Sequence, residues 1–328
     1  MGLELLLWRG RVPNRGLIAL LRSCRSRSYS TYSSPFLDQV EQSVDRVLAD
    51  HEATKKVWDL PVEAREALGI ARHLRVRLDA LARNDVCRRC WLQRNNCICS
   101  QIPPFSTTKI ATTESSLLPH RLFLLTHHKE ICLTVDTAKL LLAAFPDKCR
   151  LVVGGIGPQH QDSMEELLDA LQSERTLVLF PGEDAHTYKA LDWNRNTKDE
   201  KEEEEKSRWD LVVIDGTWTQ ARKLHSRYIP KTPCRHVQLS NRAIAQLEKE
   251  SSKQEGRISG HQLRRHPIKW KEISTLEATR QLLQDVQGTH PTRDAPWVKT
   301  LAKYQQLADA AAKAQLGTKH NQSVHSSS

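Results

Sequence analysis

The chain has 328 residues, of which 39% are hydrophobic, enough for one large domain with appendages or for two domains. Its formal net charge of +10 favours a polyanionic partner, although a solvated basic surface is the plainer alternative. No apolar run approaches the roughly 20 residues that a membrane-spanning helix requires, so the sequence predicts no membrane span.

Residues 1–34 are predicted to be a transit peptide. Residues 1–33 contain six arginines and a single acid, Glu4, and they are rich in leucine and serine. This composition is typical of organellar presequences, and RSYS at 27–30 resembles a mitochondrial processing site. We therefore predict a mitochondrial location. The alternative is a disordered basic tail on a nuclear or cytosolic protein.

Residues 35–84 form a predicted helical segment. Apolar and charged positions alternate there at helical spacing, which predicts two helices. Pro61 is expected to open the second helix, because proline is favoured in the first turn.

A predicted metal knuckle follows at residues 85–100. Four of the eight cysteines lie within thirteen residues, in the pattern Cys87-x2-Cys90-x6-Cys97-x1-Cys99. This clustering is not typical of a secreted disulfide framework. A CxxC turn presents two sulfurs to one metal and the later pair can complete a tetrahedron, so we predict one structural zinc. An iron–sulfur cluster or reduced thiols are the alternatives. The arginines of this loop are candidates for phosphate contacts: Arg88, Arg89 and Arg94.

Residues 120–290 are predicted to form an α/β domain. Short apolar strands are predicted at 121–126, 149–155, 176–182, 209–218 and 235–239, and helices at 133–145, 163–172 and 219–228. Apolar strands separated by helices indicate a parallel sheet covered on both faces. Ligands of such sheets bind beyond the carboxyl ends of the strands. The acidic stretch 194–207 is a predicted solvated insertion, and residues 317–328 a predicted disordered tail.

Polar motifs stand at these strand ends. They are LLTHHKE (124–130), GGIGP (154–158), LFPGED (179–184) and DGTW (215–218). Further along, HQLRRHPIKWKEISTLEA (261–278) joins a basic loop to a helix start, which Ser274 or Thr275 is expected to cap with Glu277 in the first turn.

The order of these motifs resembles the DTW-domain family, the tRNA-uridine aminocarboxypropyltransferases. The matching features are the four-cysteine cluster, LLTHHKE…DTAKLL, LFPG, DGTW and LRRHP…STLEA, over about residues 85–287. The resemblance implies a SPOUT-like α/β fold, a parallel sheet flanked by helices, with a knotted chain as one alternative. It also implies S-adenosylmethionine as donor and transfer of its 3-amino-3-carboxypropyl group to N3 of a uridine in tRNA.

This chemistry suggests roles for the strand-end residues. Asp215 is the candidate base or a ligand of the donor's ammonium group, with a helix cap as its structural alternative. Trp218 is expected to stack on a base or on adenine, or else to pack between helix and sheet. The catalytic candidates are Asp215, Thr217 and Trp218. The cofactor-binding candidates are Thr126, His128, Gly154, Gly155, Phe180, Pro181, Gly182, Ser274 and Thr275; tight turns are the alternative role of the glycines. The candidates for tRNA binding are Arg222, Lys223, Arg264, Arg265 and Lys269.

Two other functions fit the same motifs. One is a related enzyme, either a SPOUT-type RNA methyltransferase or an aminocarboxypropyltransferase that acts on ribosomal RNA. The other is a non-catalytic zinc-containing module that binds RNA.

Overall fold

Six strands form one parallel sheet in a computed structural model that describes residues 34–51, 57–105, 118–182, 184–188, 208–252, 273–287 and 296–316. The strands are β1 (Arg121–His127), β2 (Cys149–Gly154), β3 (Thr176–Leu179), β4 (His186–Thr187), β5 (Asp210–Asp215) and β6 (Arg235–Gln238). Their order in the sheet is β2-β1-β5-β3-β6-β4, and every neighbouring pair is parallel. The predicted parallel α/β sheet is confirmed. The SPOUT class and the knot stay predictions.

Eight α-helices surround this sheet in the part of the chain that is described. They are α1 (Pro35–His51), α2 (Val62–Arg83), α3 (Ala138–Ala144), α4 (Asp162–Ala170), α5 (Trp218–Tyr228), α6 (Asn241–Ser252), α7 (Thr275–Gln287) and α8 (Pro296–Leu316). Short 3-10 turns stand at Val57–Asp59, Arg94–Asn96 and Pro158–His160. No described helix is both long enough and apolar enough to cross a membrane.

Alternate side chains of each strand enter two separate cores, because successive residues of a strand point to opposite faces. On one face, Leu122 and Leu124 pack with α1, α2, α3, α7, α8 and the cysteine loop. On the other face, Phe123 and Leu125 pack with α4 and α5. Burial on both faces explains why the strands are continuous apolar runs.

Two of the differences from the predicted elements are the start of α3 and the strand β4. α3 begins at Ala138 rather than at residue 133, because residues 133–137 form a turn. In that turn the Lys139 ammonium donates to the carbonyl oxygens of Leu133 and Thr134 at 3.3 and 2.6 Å. The two-residue strand β4 was not predicted, since its sequence carries no apolar run.

Several predicted segments lie outside the described residues. These are the transit peptide apart from Ser34, the acidic insertion 194–207, the tail 317–328 and the basic loop with Arg264, Arg265 and Lys269. The described residues from Ser34 onward belong to one compact unit.

Candidate active site and metal centre

The carboxyl ends of β1 and β5 lie side by side at the centre of the candidate site. Thr126 of β1 is in register with Asp215 of β5, and His127 is in register with Gly154 of β2. The strand order reverses at this point, because the chain runs from β1 outward to β2 and then crosses to β3 on the far side of β5. A parallel sheet binds its ligands at such a crevice.

Asp215 ends β5 in a nearly inaccessible position, with 4% of its surface exposed. Its Oδ1 atom accepts a hydrogen bond of 2.7 Å from the hydroxyl of Thr275, the first residue of α7. The structure therefore brings the DGTW and STLEA segments together. Thr126, in register beside Asp215, is also buried, and its hydroxyl donates to the carbonyl of Leu124 at 3.3 Å.

Thr217 is the cap of α5. Its hydroxyl accepts the N–H of Gln220 at 3.4 Å, and the Gln220 side-chain oxygen accepts the N–H of Thr217 at 2.7 Å. This reciprocal pair is a capping box. The alternative role of Asp215 as the helix cap is therefore wrong. The Thr217 hydroxyl is engaged in fixing the start of the helix.

Four half-exposed rings form an aromatic column beside Asp215. Phe180, just beyond β3, stacks on Trp218 with ring centres 5.1 Å apart and an interplanar angle of 2°. On its other side lies His225, at 4.2 Å and 19°. His225 in turn meets His236 of β6, with the two Nε2 atoms 2.9 Å apart. Trp218 thus stacks within this column, which includes the rings just beyond the carboxyl ends of β3 and β5.

Three histidines lie together at the end of β1. His127 and His128 stack with ring centres 4.3 Å apart, and His73 of α2 meets His128 edge-on at 5.3 Å. Burial, assisted by the neighbouring histidines, lowers the pKa of His128 to about 4. Burial also lowers the pKa of His127 and of His73, assisted by the charge of Lys129. These shifts favour the neutral form of all three rings.

Asp136 is a site residue that the sequence reasoning missed. It precedes α3, is 6% exposed, and accepts the N–H of Ala138 at 2.8 Å. Burial raises its pKa well above the usual range, and the charge of Asp215 raises it further. The signal lay within the quoted DTAKLL motif, but the predicted helix 133–145 placed Asp136 in a helix interior.

The two glycines at the carboxyl end of β2, Gly154 in the strand and Gly155 after it, are explained by packing. A Cβ atom at Gly154 would collide with Leu224 of α5, and one at Gly155 would collide with Ile70 of α2. Gly155 also has φ of 93°, a conformation that favours glycine, and its N–H donates to the Tyr228 hydroxyl at 2.8 Å. These contacts favour the tight-turn alternative over a contact with the cofactor.

Ser274 caps α7 as the sequence indicated. The Ser274 hydroxyl accepts the N–H of Glu277 at 3.1 Å, and the Glu277 carboxylate accepts the N–H of Ser274 at 2.8 Å. This box fixes Thr275 in its contact with Asp215. Pro181 and Gly182 are exposed in the loop that follows Phe180.

Two of the predicted RNA-binding cations are described, and both are exposed. Arg222 and Lys223 lie in the first two turns of α5, which begins three residues after Asp215. The charge of Lys223 contributes to the lowered pKa of His127, which places this lysine near the histidine cluster. The candidate site therefore has an acidic buried floor and a basic rim.

Four sulfurs converge in the knuckle. The Sγ atoms of Cys87, Cys90, Cys97 and Cys99 all lie within 4.8 Å of one another. The pair Cys87–Cys99 is 3.5 Å apart and the pair Cys90–Cys97 is 3.7 Å apart. Four sulfurs at 2.3 Å around a tetrahedral zinc lie about 3.8 Å apart, so these residues fit the ion. A metal held by all four sulfurs would have no coordination position left for a substrate.

The knuckle arginines are engaged with the protein rather than held out toward a phosphate. Arg88 pairs with Asp38 and Glu41 of α1 at 2.8 and 3.0 Å. Arg89 donates to the carbonyl oxygens of Ile102 and Ala143, and Arg94 pairs with Asp85 at 3.2 Å. These contacts tie the metal loop to the helices around it, which gives the arginines a structural role.

Comparison with known proteins gives one family and two relatives. The sequence model of the DTW domain matches residues 84–313, more than half of the chain. The tRNA-uridine aminocarboxypropyltransferase 2 of Macaca fascicularis is 25% identical over 177 residues, which are 54% of this chain and 47% of that protein. The Mus musculus protein of the same name is 25% identical over 176 residues, 53% and 47% of the two chains. The chain thus spans about half the length of these curated relatives. No solved structure matches it significantly.

Proposed function

The chain belongs to the DTW domain family, and from this premise we propose that it transfers the 3-amino-3-carboxypropyl group of S-adenosylmethionine to N3 of a uridine in tRNA. The two relatives named for this reaction support the proposal. The observation that carries it is the buried contact between Asp215 and Thr275, which joins two motif segments 60 residues apart at the ligand-binding edge of the sheet.

The transfer exchanges one carbon–sulfur bond for one carbon–nitrogen bond. Uridine N3 attacks the methylene carbon that joins the amino-acid arm to the sulfonium. The electron pair of the broken bond returns to sulfur, which leaves 5′-methylthioadenosine, and the N3 proton passes to a base or to water. The sulfonium carries three attackable carbons, so the enzyme must turn the arm rather than the methyl group toward the acceptor. This selectivity is a problem of positioning.

The buried acid Asp215 and the exposed cations Arg222 and Lys223 have different roles in this proposal. Asp215 lies where it can accept the N3 proton or hold the cationic donor. An unperturbed aspartate has a pKa of about 3.9, so a base role would require proton transfer late in the transition state. The exposure of Arg222 and Lys223 on the helix after Asp215 supports a role in binding phosphates of the tRNA backbone. The stacked rings of Phe180, Trp218 and His225 support a role in stacking on a base.

The knuckle is assigned a structural zinc. Its four thiolates would hold the ion in a closed tetrahedron, which supplies folding energy and leaves no position for substrate. Because the Arg88 and Arg89 contacts join the knuckle to α1 and α3, the metal would stabilise the wall of the site and take no part in transfer.

A single reaction separates the proposed function from its alternatives. Full-length protein is incubated with labelled S-adenosylmethionine and total tRNA, and products are identified by mass spectrometry. Aminocarboxypropyluridine and methylthioadenosine in equal amounts are expected. Methyluridine with S-adenosylhomocysteine would indicate a methyltransferase. Modification of ribosomal RNA alone would show that the substrate is ribosomal RNA rather than tRNA. Binding of tRNA without consumption of the donor would indicate a non-catalytic module.

The composition of residues 1–33 supports a proposed mitochondrial location, in which case the substrate is mitochondrial tRNA. Fusion of these residues to a fluorescent reporter should direct the reporter to mitochondria. A diffuse or nuclear reporter would contradict this location and make cytosolic tRNA the substrate.

A further inference from the structure

Asp136 has one carboxylate oxygen that the fold leaves unsatisfied. The residue is more than nine-tenths buried, in the turn between β1 and α3. Its Oδ1 atom accepts the N–H of Ala138 at 2.8 Å, two residues along the chain, as in an Asx turn. Its Oδ2 atom is buried and has no hydrogen-bond partner among the described residues. The turn requires one oxygen, so it does not account for the second.

The start of α7 joins this turn to Asp215. The Thr275 hydroxyl donates to Asp215 Oδ1 at 2.7 Å, and the N–H of the next residue, Leu276, donates to the Thr137 hydroxyl at 3.5 Å. Asp136 and Asp215 therefore belong to one buried cluster. Of the charges around Asp136, that of Asp215 has the largest effect on its pKa, after burial itself.

Two buried acids whose charges act on each other are unfavourable unless a proton or a cation accompanies them. Lys139 is a buried cation beside this turn whose charge lowers the pKa of Asp136, and its ammonium donates to the carbonyl oxygens of Leu133 and Thr134. The Oδ2 atom of Asp136 is left without a donor among the described residues. A ligand group that is positively charged and carries N–H bonds would meet both requirements.

We propose that Asp136 and Asp215 together bind the α-ammonium group of the donor's amino-acid arm. This inference rests on the proposed function, because it names how the same site holds S-adenosylmethionine. The ammonium fits better than the sulfonium, because it has three N–H donors for the carboxylate oxygens whereas the sulfonium has none. Anchoring the far end of the arm fixes which carbon of the sulfonium faces the acceptor. Asp136 is thus a positioning residue for the transfer.

The test compares two ligands that differ only in the amino-acid arm. S-adenosylmethionine carries the arm and 5′-methylthioadenosine lacks it. Dissociation constants for both are measured by calorimetry with full-length wild type and with Asp136→Asn, which keeps the acceptor for Ala138. We expect the substitution to weaken S-adenosylmethionine binding about tenfold or more, as the loss of a charged hydrogen-bond partner does, and to leave methylthioadenosine binding unchanged.

A matched control lies at the opposite end of the same strand as Asp215. Asp210 is bonded to Arg121 there at 2.7 Å, remote from the site. Asp210→Asn should leave the ratio of the two affinities as in wild type. The inference would be overturned if Asp136→Asn lost affinity equally for both ligands, or if it kept wild-type affinity for S-adenosylmethionine.

A second measurement on wild type keeps the inference testable if Asp136→Asn does not fold. Burial and the charge of Asp215 raise the pKa of Asp136, and a bound ammonium would lower it, so ammonium binding should release protons from the site. The other charged groups around it are Asp215, Lys139 and Glu130. Calorimetry in buffers of different ionisation enthalpy should show proton release with S-adenosylmethionine but not with methylthioadenosine. Equal proton release with both ligands, or none with either, overturns the inference.

Failure of the proposed function is distinguishable from failure of this inference. A wild-type chain that binds S-adenosylmethionine but does not modify tRNA overturns the function, and the inference is still decided by Asp136→Asn. If the wild-type chain modifies tRNA and Asp136→Asn binds S-adenosylmethionine with wild-type affinity, only the inference is overturned. A chain that binds no S-adenosylmethionine overturns both.

Discussion

The side chains from the end of β5 to the second turn of α5 have opposite surroundings. Asp215 is buried and bonded to Thr275, whereas Arg222 and Lys223 are exposed on α5. A buried acid acts on the few groups that touch it. An exposed cation attracts phosphate over a longer range and is screened by salt. Substitutions of the two kinds should therefore fail in different ways.

Asp215→Asn should lower the single-turnover transfer rate roughly 10²-fold or more while tRNA still binds. The asparagine keeps the size of the side chain and an acceptor for the Thr275 hydroxyl but removes the charge. Arg222→Ala with Lys223→Ala should instead weaken tRNA binding and flatten its salt dependence, by about 0.9 in slope for each phosphate that the protein no longer neutralises. Transfer rates at saturating tRNA and donor, and tRNA affinity against salt, measure both effects.

The matched control removes two exposed charges elsewhere. Lys299→Ala with Lys303→Ala removes the same net charge from α8. This double variant should change neither the transfer rate nor the tRNA affinity appreciably. Wild-type transfer by Asp215→Asn would place the catalytic group at another strand end, with His127, His128 and Glu130 as the first candidates.

His128 makes folding stability depend on pH. Its pKa is lowered by burial to about 4, against about 6.5 for an unfolded histidine. Between these values the unfolded chain binds more protons than the folded chain, so the free energy of unfolding falls as the pH decreases from 6.5 to 4. His128→Asn should weaken this dependence, measured by urea unfolding at several pH values. His186→Asn, an exposed histidine, is the control; identical pH profiles for wild type and His128→Asn would contradict the argument.

Single residues differ in how far the sequence reveals them. Asp215 was predictable because a continuous apolar strand ends at it, and strand ends carry the ligands of parallel sheets. Asp136 was not, since its importance arises from burial beside Asp215, and the contacts between those segments are long-range. His73 was missed for a similar reason: it lies in an amphipathic helix, where nothing in the spacing shows that its ring meets His128.

Elements whose residues face apolar surroundings on both sides were predicted well. The cores of β1, β2, β3 and β5 were identified because both of their faces are buried. Their carboxyl ends were set too far along the chain for β2, β3 and β5, because the turn residues that follow are also apolar or small. α3 was predicted too long, since the Lys139 contacts that hold residues 133–137 in a turn leave no periodic signal.

The knuckle provides a prediction for a whole element. Purified protein should contain one zinc per chain, and Cys97→Ser should lower the free energy of unfolding by more than about 3 kcal/mol, because metal-binding energy is folding energy at such sites. Cys234→Ser, at a buried cysteine remote from the four sulfurs, should cost less. Metal analysis and denaturant unfolding measure both. An iron–sulfur absorption band, or a chain that keeps its stability without metal, would contradict the zinc assignment.

The site as a whole extends beyond the part of the chain that the family model matches. That match begins at residue 84, whereas α2 ends at Arg83. Yet α2 contributes His73 to the histidine cluster, Ile70 to the wall behind Gly155, and Glu66 to an ion pair of 2.7 Å with Arg227 of α5. The helical segment should therefore fold as one unit with the α/β domain rather than as a separate appendage.

Whether the helical segment folds as one unit with the α/β domain can be tested at Leu74, which is fully buried in α2. Leu74→Ala should lower the free energy of unfolding by about 2–5 kcal/mol, because it leaves a cavity between α2 and the rest of the core. Val76→Ala on the exposed side of the same helix should cost much less. Urea unfolding followed by tryptophan fluorescence and by far-ultraviolet circular dichroism should give coincident transitions that shift together in Leu74→Ala. An early transition confined to part of the helical signal would contradict this expectation, because it would show that α1 and α2 unfold independently of the sheet.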